Sequence, residues 1–220
     1  MCGRFTLTVS PEEIMEAFDL DEELSWDVSY NIAPTQGVLA IVNDGHRNRA
    51  GKMRWGLVPS WAKDLSIGNK MINARLETAN EKPSFKRLME RRRCLIVADS
   101  FYEWKKEDGA KKPQRIFVED QKLFTFAGLW DRYRDGDKEY VTCTILTKES
   151  NDVMSPIHHR MPVILPKAYE QEWITYERKD ATEMRDWLLS LDDLDLDYHE
   201  VDSYVNSPKN NDEQCIAPLA

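Results

Sequence analysis

Cysteine is scarce in this chain: Cys2, Cys94, Cys143 and Cys215 are the only four, and no two form a C-x-x-C pair. That spacing excludes a disulfide scaffold and gives no support to a zinc site, even with His158 and His159 added as donors. No leader peptide precedes them, so reduced thiols and a cytoplasmic location are expected. No apolar run approaches the ~20 residues needed to span a bilayer, which leaves no membrane partner. A P-loop and a Gly-rich dinucleotide loop are both missing, so no metal, nucleotide or other cofactor is expected. A basic excess is missing too. The formal charge of −9 is the opposite of what a non-specific nucleic-acid coat carries.

What is present is a globular chain of 220 residues with seven tryptophans. It is read as one domain over 1–220, long enough to bury roughly 70% of its unfolded surface. Acidic residues concentrate around 19–23 and 192–197, whereas Arg and Lys gather in 46–54, 86–93 and 105–115. Such segregation permits one basic face. Strand patterns fall at 4–9, 38–42, 53–58, 94–98, 101–104, 115–119, 123–129, 140–147 and 161–165. Asn43-Asp44-Gly45, Asp108-Gly109 and Asp135-Gly136 supply hairpin turns between several of them. Ser10-Pro11-Glu12-Glu13 is a capping box before a short helix, and helical spacing returns at Phe85-Leu88-Met89, Tyr169-Trp173 and Ala181-Met184-Trp187. The stretch 30–35 reads as irregular because of Pro34. By composition the tail from 206 to 220 would be disordered. The order of elements predicts an α+β fold: a strongly curved, mainly antiparallel sheet or partly closed barrel with peripheral helices.

The first residues, Met1-Cys2-Gly3-Arg4-Phe5, hold the most unusual chemistry. Initiator Met is removed when the next side chain is small, so a mature chain beginning at an exposed Cys2 is expected. Its free α-amine beside a thiol could capture an aldehyde twice, as an imine and then as a five-membered thiazolidine. The amine titrates near ~7.7–8.0 and the thiol near ~8.5, so neutral pH supplies some of each reactive form. Ring closure is intramolecular and gains a large effective concentration. The plainer alternative is a small residue opening an edge strand.

Three interior stretches place polar residues where a strand or turn has no need of them. Asn73 and Arg75 share a parity and could face one way along an extended segment, an amide and a guanidinium suited to a phosphate or sugar oxygen; otherwise they are a turn Asn and a solvated Arg. Glu103 lies between Tyr102 and Trp104, where burial would raise its pKa and fit it for proton transfer; otherwise it is an exposed edge residue paired with Lys105. His158-His159-Arg160 offers an imidazole matched to neutral pH beside an Arg, or simply surface histidines.

Six stretches then occur in order: Cys2-Gly3-Arg4-Phe5, Tyr30-Asn31-Ile32-Ala33-Pro34, Trp55-Gly56-Leu57-Val58-Pro59-Ser60-Trp61, Ile72-Asn73-Ala74-Arg75-Leu76-Glu77-Thr78, Phe101-Tyr102-Glu103-Trp104-Lys105 and Ile157-His158-His159-Arg160-Met161-Pro162. Together they resemble the SOS-response-associated peptidase (SRAP) family of abasic-site processing proteins. The resemblance extends to Val205-Asn206 and Cys215-Ile216-Ala217-Pro218, which implies an ordered tail. It implies that Cys2, after Met1 loss, forms a thiazolidine DNA-protein crosslink with abasic sites in single-stranded DNA. Asn73, Glu103 and His158 take the catalytic positions. Arg4, Asn31, Arg75 and Arg160 fall at DNA-contacting positions, with Trp61 and Trp104 as stacking or wedge residues. The expected partner is single-stranded DNA containing abasic sites, bound by a monomer that is nucleoid-associated while on DNA. Two other readings stay open: an N-terminal-Cys thiol (auto)peptidase, and a non-covalent single-stranded DNA binding module.

Overall fold

The structure, a computed structural model, describes residues 2–219. Its strands, in chain order, are β1 (Phe5–Leu7), β2 (Ser29–Ile32), β3 (Gly37–Asn43), β4 (Asn48–Trp55), β5 (Asn73–Arg75), β6 (Arg93–Ala98), β7 (Ser100–Glu107), β8 (Ala110–Val118), β9 (Phe124–Asp135), β10 (Lys138–Glu149), β11 (Arg160–Pro162), β12 (Ile164–Leu165) and β13 (Leu196–Glu200). The helices are α1 (Pro11–Phe18), α2 (Leu76–Ala79), α3 (Pro83–Arg91), α4 (Glu170–Trp173) and α5 (Ala181–Ser190). No helix among the described residues is long and apolar enough to cross a membrane.

One sheet has the order β13-β8-β7-β1-β2 and is antiparallel throughout. In the other, β10, β4, β3, β6 and β9 follow one another and β9 pairs back onto β10, so five strands close a barrel. β5 joins β10 in parallel and β11 joins it antiparallel. This is the α+β, partly closed barrel that the sequence predicts. Local chemistry explains the connections. The Asp108-Gly109 turn between β7 and β8 has φ of 50° and 78°, the two positive values a two-residue hairpin of this twist needs. Ser10 caps α1 through the reciprocal bonds of a capping box with Glu13.

The two sheets meet at Phe5. Its ring packs edge-on to Trp55 at 5.1 Å and to Phe126 at 5.5 Å, both from barrel strands. Burying these three rings ties β1, and with it the start of the chain, to the barrel wall.

Two sequence expectations give way. The stretch expected to be irregular from residue 30 stays in β2 to Ile32, and the irregularity starts only at Ala33. The tail is ordered, contrary to its composition and in line with the resemblance. Buried Asn31 gives its Nδ2 to the carbonyls of Val205 (3.1 Å), Ser207 (3.0 Å) and Asn210 (2.7 Å), and the Tyr102 hydroxyl donates to Cys215 O at 3.2 Å. A polar tail with no core of its own is thus held by donors on β2 and β7.

Candidate active site

The register Phe5↔Phe101 and the bond from Tyr102 N to Arg4 O carry the chain back toward Cys2 alongside the Glu103 end of β7. Asn73, on β5, closes the other side: its Nδ2 donates to Cys2 O at 2.8 Å. Its Oδ1 is buried with no hydrogen-bond partner among the described residues. Cys2 itself is 0% exposed, not open at the surface as expected, because β1 lies inside its sheet between β2 and β7. Burial and the nearby negative charge of Glu103 push the thiol well above its ordinary range. The sulfur is therefore a thiol at neutral pH and attacks only as its proton leaves. The expected loss of Met1 concerns a residue outside those described.

Glu103 is 3% exposed, which removes the reading of an exposed edge residue. Burial raises its carboxyl above the usual range. His158 sits half-buried on the loop before β11, stacked on exposed His159 with ring centroids 4.4 Å apart. The backbone N–H of Arg160 donates to His158 Nδ1 at 2.9 Å. An N–H can only donate, so Nδ1 is an acceptor and the neutral ring carries its proton on Nε2. Burial, with nearby positive charge, lowers the imidazole pKa and favours that neutral form.

The residues expected to meet DNA divide into two groups. Trp61 is 62% exposed, and Arg75 is exposed at the end of β5. Trp104 is half-buried, bonded through Nε1 to Asn206 Oδ1 at 2.7 Å. In contrast, Arg4 spends Nη1 on Asn31 Oδ1 (2.7 Å) and Val205 O (2.8 Å), and buried Asn31 holds the tail. Arg160 is buried, with a bidentate pair to Glu77 at 2.8 and 2.9 Å and a bond to Thr147 O. Arg4 and Arg160 spend their Nη atoms, and Asn31 its side-chain amide, on partners inside the protein.

A cavity of about 460 Å³ opens over the site, lined by Glu103, Trp104, Lys106, Lys111, His158 and Asn206. Lys106 and Lys111 were not singled out by the sequence. They face each other across the β7–β8 ladder, like charges opposed, which costs stability. The next pair, Lys105 and Lys112, shares Glu107, but Lys106 and Lys111 have no ion pair among the described residues. The basic run 105–115 was visible; which of its members face the cavity is set by hairpin register. No group of three or more metal-ligating side chains occurs among the described residues.

Fold and site define a class: an α+β barrel protein whose second residue, a cysteine, lies buried between a carboxylate on one sheet and an asparagine on the other. The chain belongs to the SOS response associated peptidase (SRAP) family, whose model matches residues 1–208. It is 48% identical over 222 residues to the abasic site processing protein YoaM of Bacillus subtilis, covering 98% of this chain and 97% of that one. It is 26% identical to the abasic site processing protein HMCES of Xenopus tropicalis, covering all of this chain and 78% of the relative. Among solved structures, a Bacteroides thetaiotaomicron protein aligns over the full length of both chains with a TM-score of 0.86 at 24% identity, a likeness of fold. A Bordetella bronchiseptica protein aligns with a TM-score of 0.75 at 27% identity, over 91% of this chain and 100% of that one.

Proposed function

We propose that this protein captures abasic sites in single-stranded DNA as a covalent thiazolidine on Cys2, shielding them during replication and repair. The observation that carries the reading is the meeting of Cys2, Asn73 and Glu103, drawn from three parts of the sequence, under an open cavity with a basic lining. The relatives' names point the same way.

The chemistry follows from the site. With Met1 gone, the neutral Cys2 amine adds to C1′ of the ring-opened deoxyribose, forming a carbinolamine that loses water to give an imine. The thiol then adds across C=N; the C–S bond forms, the sulfur's proton leaves and the nitrogen gains one. Glu103, whose protonated form burial favours, gives a proton to the departing hydroxyl and as a carboxylate takes the one from sulfur. Asn73 holds the Cys2 carbonyl, so the amine and thiol stay on one side of the aldehyde. His158, protonated on Nε2, is a hydrogen-bond donor toward the sugar oxygens. Lys106, Lys111 and Arg75 meet backbone phosphates, and Trp61 and Trp104 meet the flanking bases. Arg4, Asn31 and Arg160 act through what they hold in place.

The test is incubation of the processed protein with an oligonucleotide carrying one abasic site, followed by a denaturing gel. A heat-resistant shifted band is expected for the wild type. Cys2→Ser should give a band only after borohydride reduction, which traps the imine. A heat-resistant band that persists unreduced in Cys2→Ser would remove the thiol from the reaction.

A further inference from the structure

A second basic groove lies away from the Cys2 cavity. It consists of two adjoining hollows of about 180 and 500 Å³ that share Arg87 and Arg92. Trp61 stands at one end and Tyr176, 67% exposed, at the other, with Arg91, Arg132 and Arg178 between them. Five arginines on one groove of a chain with net charge −9 are not an average surface.

The walls are built, not incidental. Arg93, 3% exposed, donates to the carbonyls of Met89, Trp173, Thr175 and Glu177, which fixes the segment carrying Tyr176 and Arg178. Asp131, also buried, accepts from Ser60 N and pairs with Arg92, which fixes the segment carrying Trp61. Trp130 lies on the floor with the guanidinium carbons of Arg92 and Arg132 at 5.1 and 5.8 Å from its ring centroid. Some of the charge is spent: Arg92 on Asp131, Arg132 on Glu139 and Arg178 on Glu90, while Glu177 also lines the groove. Arg87 and Arg91, exposed on α3, have no ion pair among the described residues.

Strand β10 lies between the groove and the site. Asp131 pairs with Thr142 and Asn73 with Ile145 on the same strand, β10. They lie on opposite edges of that strand, three residues apart along it and two strand spacings apart across it, about 14 Å in all.

We infer that this groove binds the unpaired DNA strand flanking the lesion, with phosphates on Arg87 and Arg91 and bases against Trp61 and Tyr176. Exposed rings at both ends favour a single strand, because a paired base has no free face to stack. The inference rests on the reading of Cys2 as the capturing residue.

The experiment uses the full chain, wild type, an Arg87→Gln/Arg91→Gln double variant and an Arg87→Lys/Arg91→Lys control. Two abasic substrates are compared, a trinucleotide centred on the lesion and a strand long enough to fill the groove. Binding of intact single strands and duplexes is measured against salt concentration. The Gln variant should lower the single-strand salt slope by about 1.4, some 0.7 for each lost phosphate contact. It should slow capture of the long substrate only, and the Lys control should keep the wild-type slope. An unchanged slope, an equal loss on both substrates, or a preference for duplex would overturn the groove. Absence of any adduct from wild type on both substrates would instead overturn the reading of Cys2, and the salt slope would still decide the groove.

Discussion

Two carboxylates near the site, buried Glu103 and partly exposed Glu77, respond to pH in opposite senses. Burial pushes the Glu77 carboxyl up, but the Arg160 guanidinium together with backbone N–H donors more than offsets that and leaves it below its ordinary value. Its contribution to stability is present above the ordinary carboxylate range and lost as pH falls through the lowered value. Glu103 is raised, so the folded state favours its proton; that contribution is present in acid and lost as pH rises through the raised value. Thermal melts of two neutral isosteres should therefore diverge. Glu77→Gln should cost about 1–2 kcal/mol at neutral pH, discounted from the buried-pair range because the Glu77 side chain is 35% exposed. That deficit should vanish in acid. Glu103→Gln should melt above the wild type at neutral pH, with the gap closing in acid, while capture of abasic DNA falls. A Glu103→Gln protein less stable than wild type at neutral pH would mean that the ionised carboxylate is fully compensated in the fold.

At the scale of elements, the tail and the hairpin show what a sequence can and cannot reveal. The Asp108-Gly109 turn, the capping box of α1 and the strand runs were legible because their chemistry is local. β13 was not: Leu196–Glu200 lies in an acidic run, and only pairing with β8 makes it a strand. Ordering of the tail was equally invisible in composition, since the donors that hold it stand on Asn31 and Tyr102, far off in sequence. In the site, Glu103 and Asn73 could be singled out from their neighbours, but the burial of Cys2 and the inward commitment of Arg160 depend on sheet pairing. Asn31→Ala tests the tail directly. Loss of its bonds should cost about 2–3 kcal/mol and make the segment beyond residue 203 sensitive to protease before the barrel unfolds. Tail cleavage no faster than in the wild type would show that Tyr102 and Trp104 suffice.

For the molecule as a whole, closing the barrel leaves the second sheet to bring β1 and β7 against β5 and the loop before β11. That junction gathers groups from residues 2, 73, 103 and 158 at one place. On the proposed reading the acidic total is no obstacle, because covalent capture would hold what a basic channel only has to present. Ring closure on Cys2 is the step on which the proposed chemistry turns, and intact mass reads it without a label. After incubation with an abasic strand, the expected species is the protein without Met1 plus the strand minus one water, with the Cys2 thiol no longer open to alkylation. A protein that keeps its own mass, or an adduct in which the Cys2 thiol still alkylates, would contradict it.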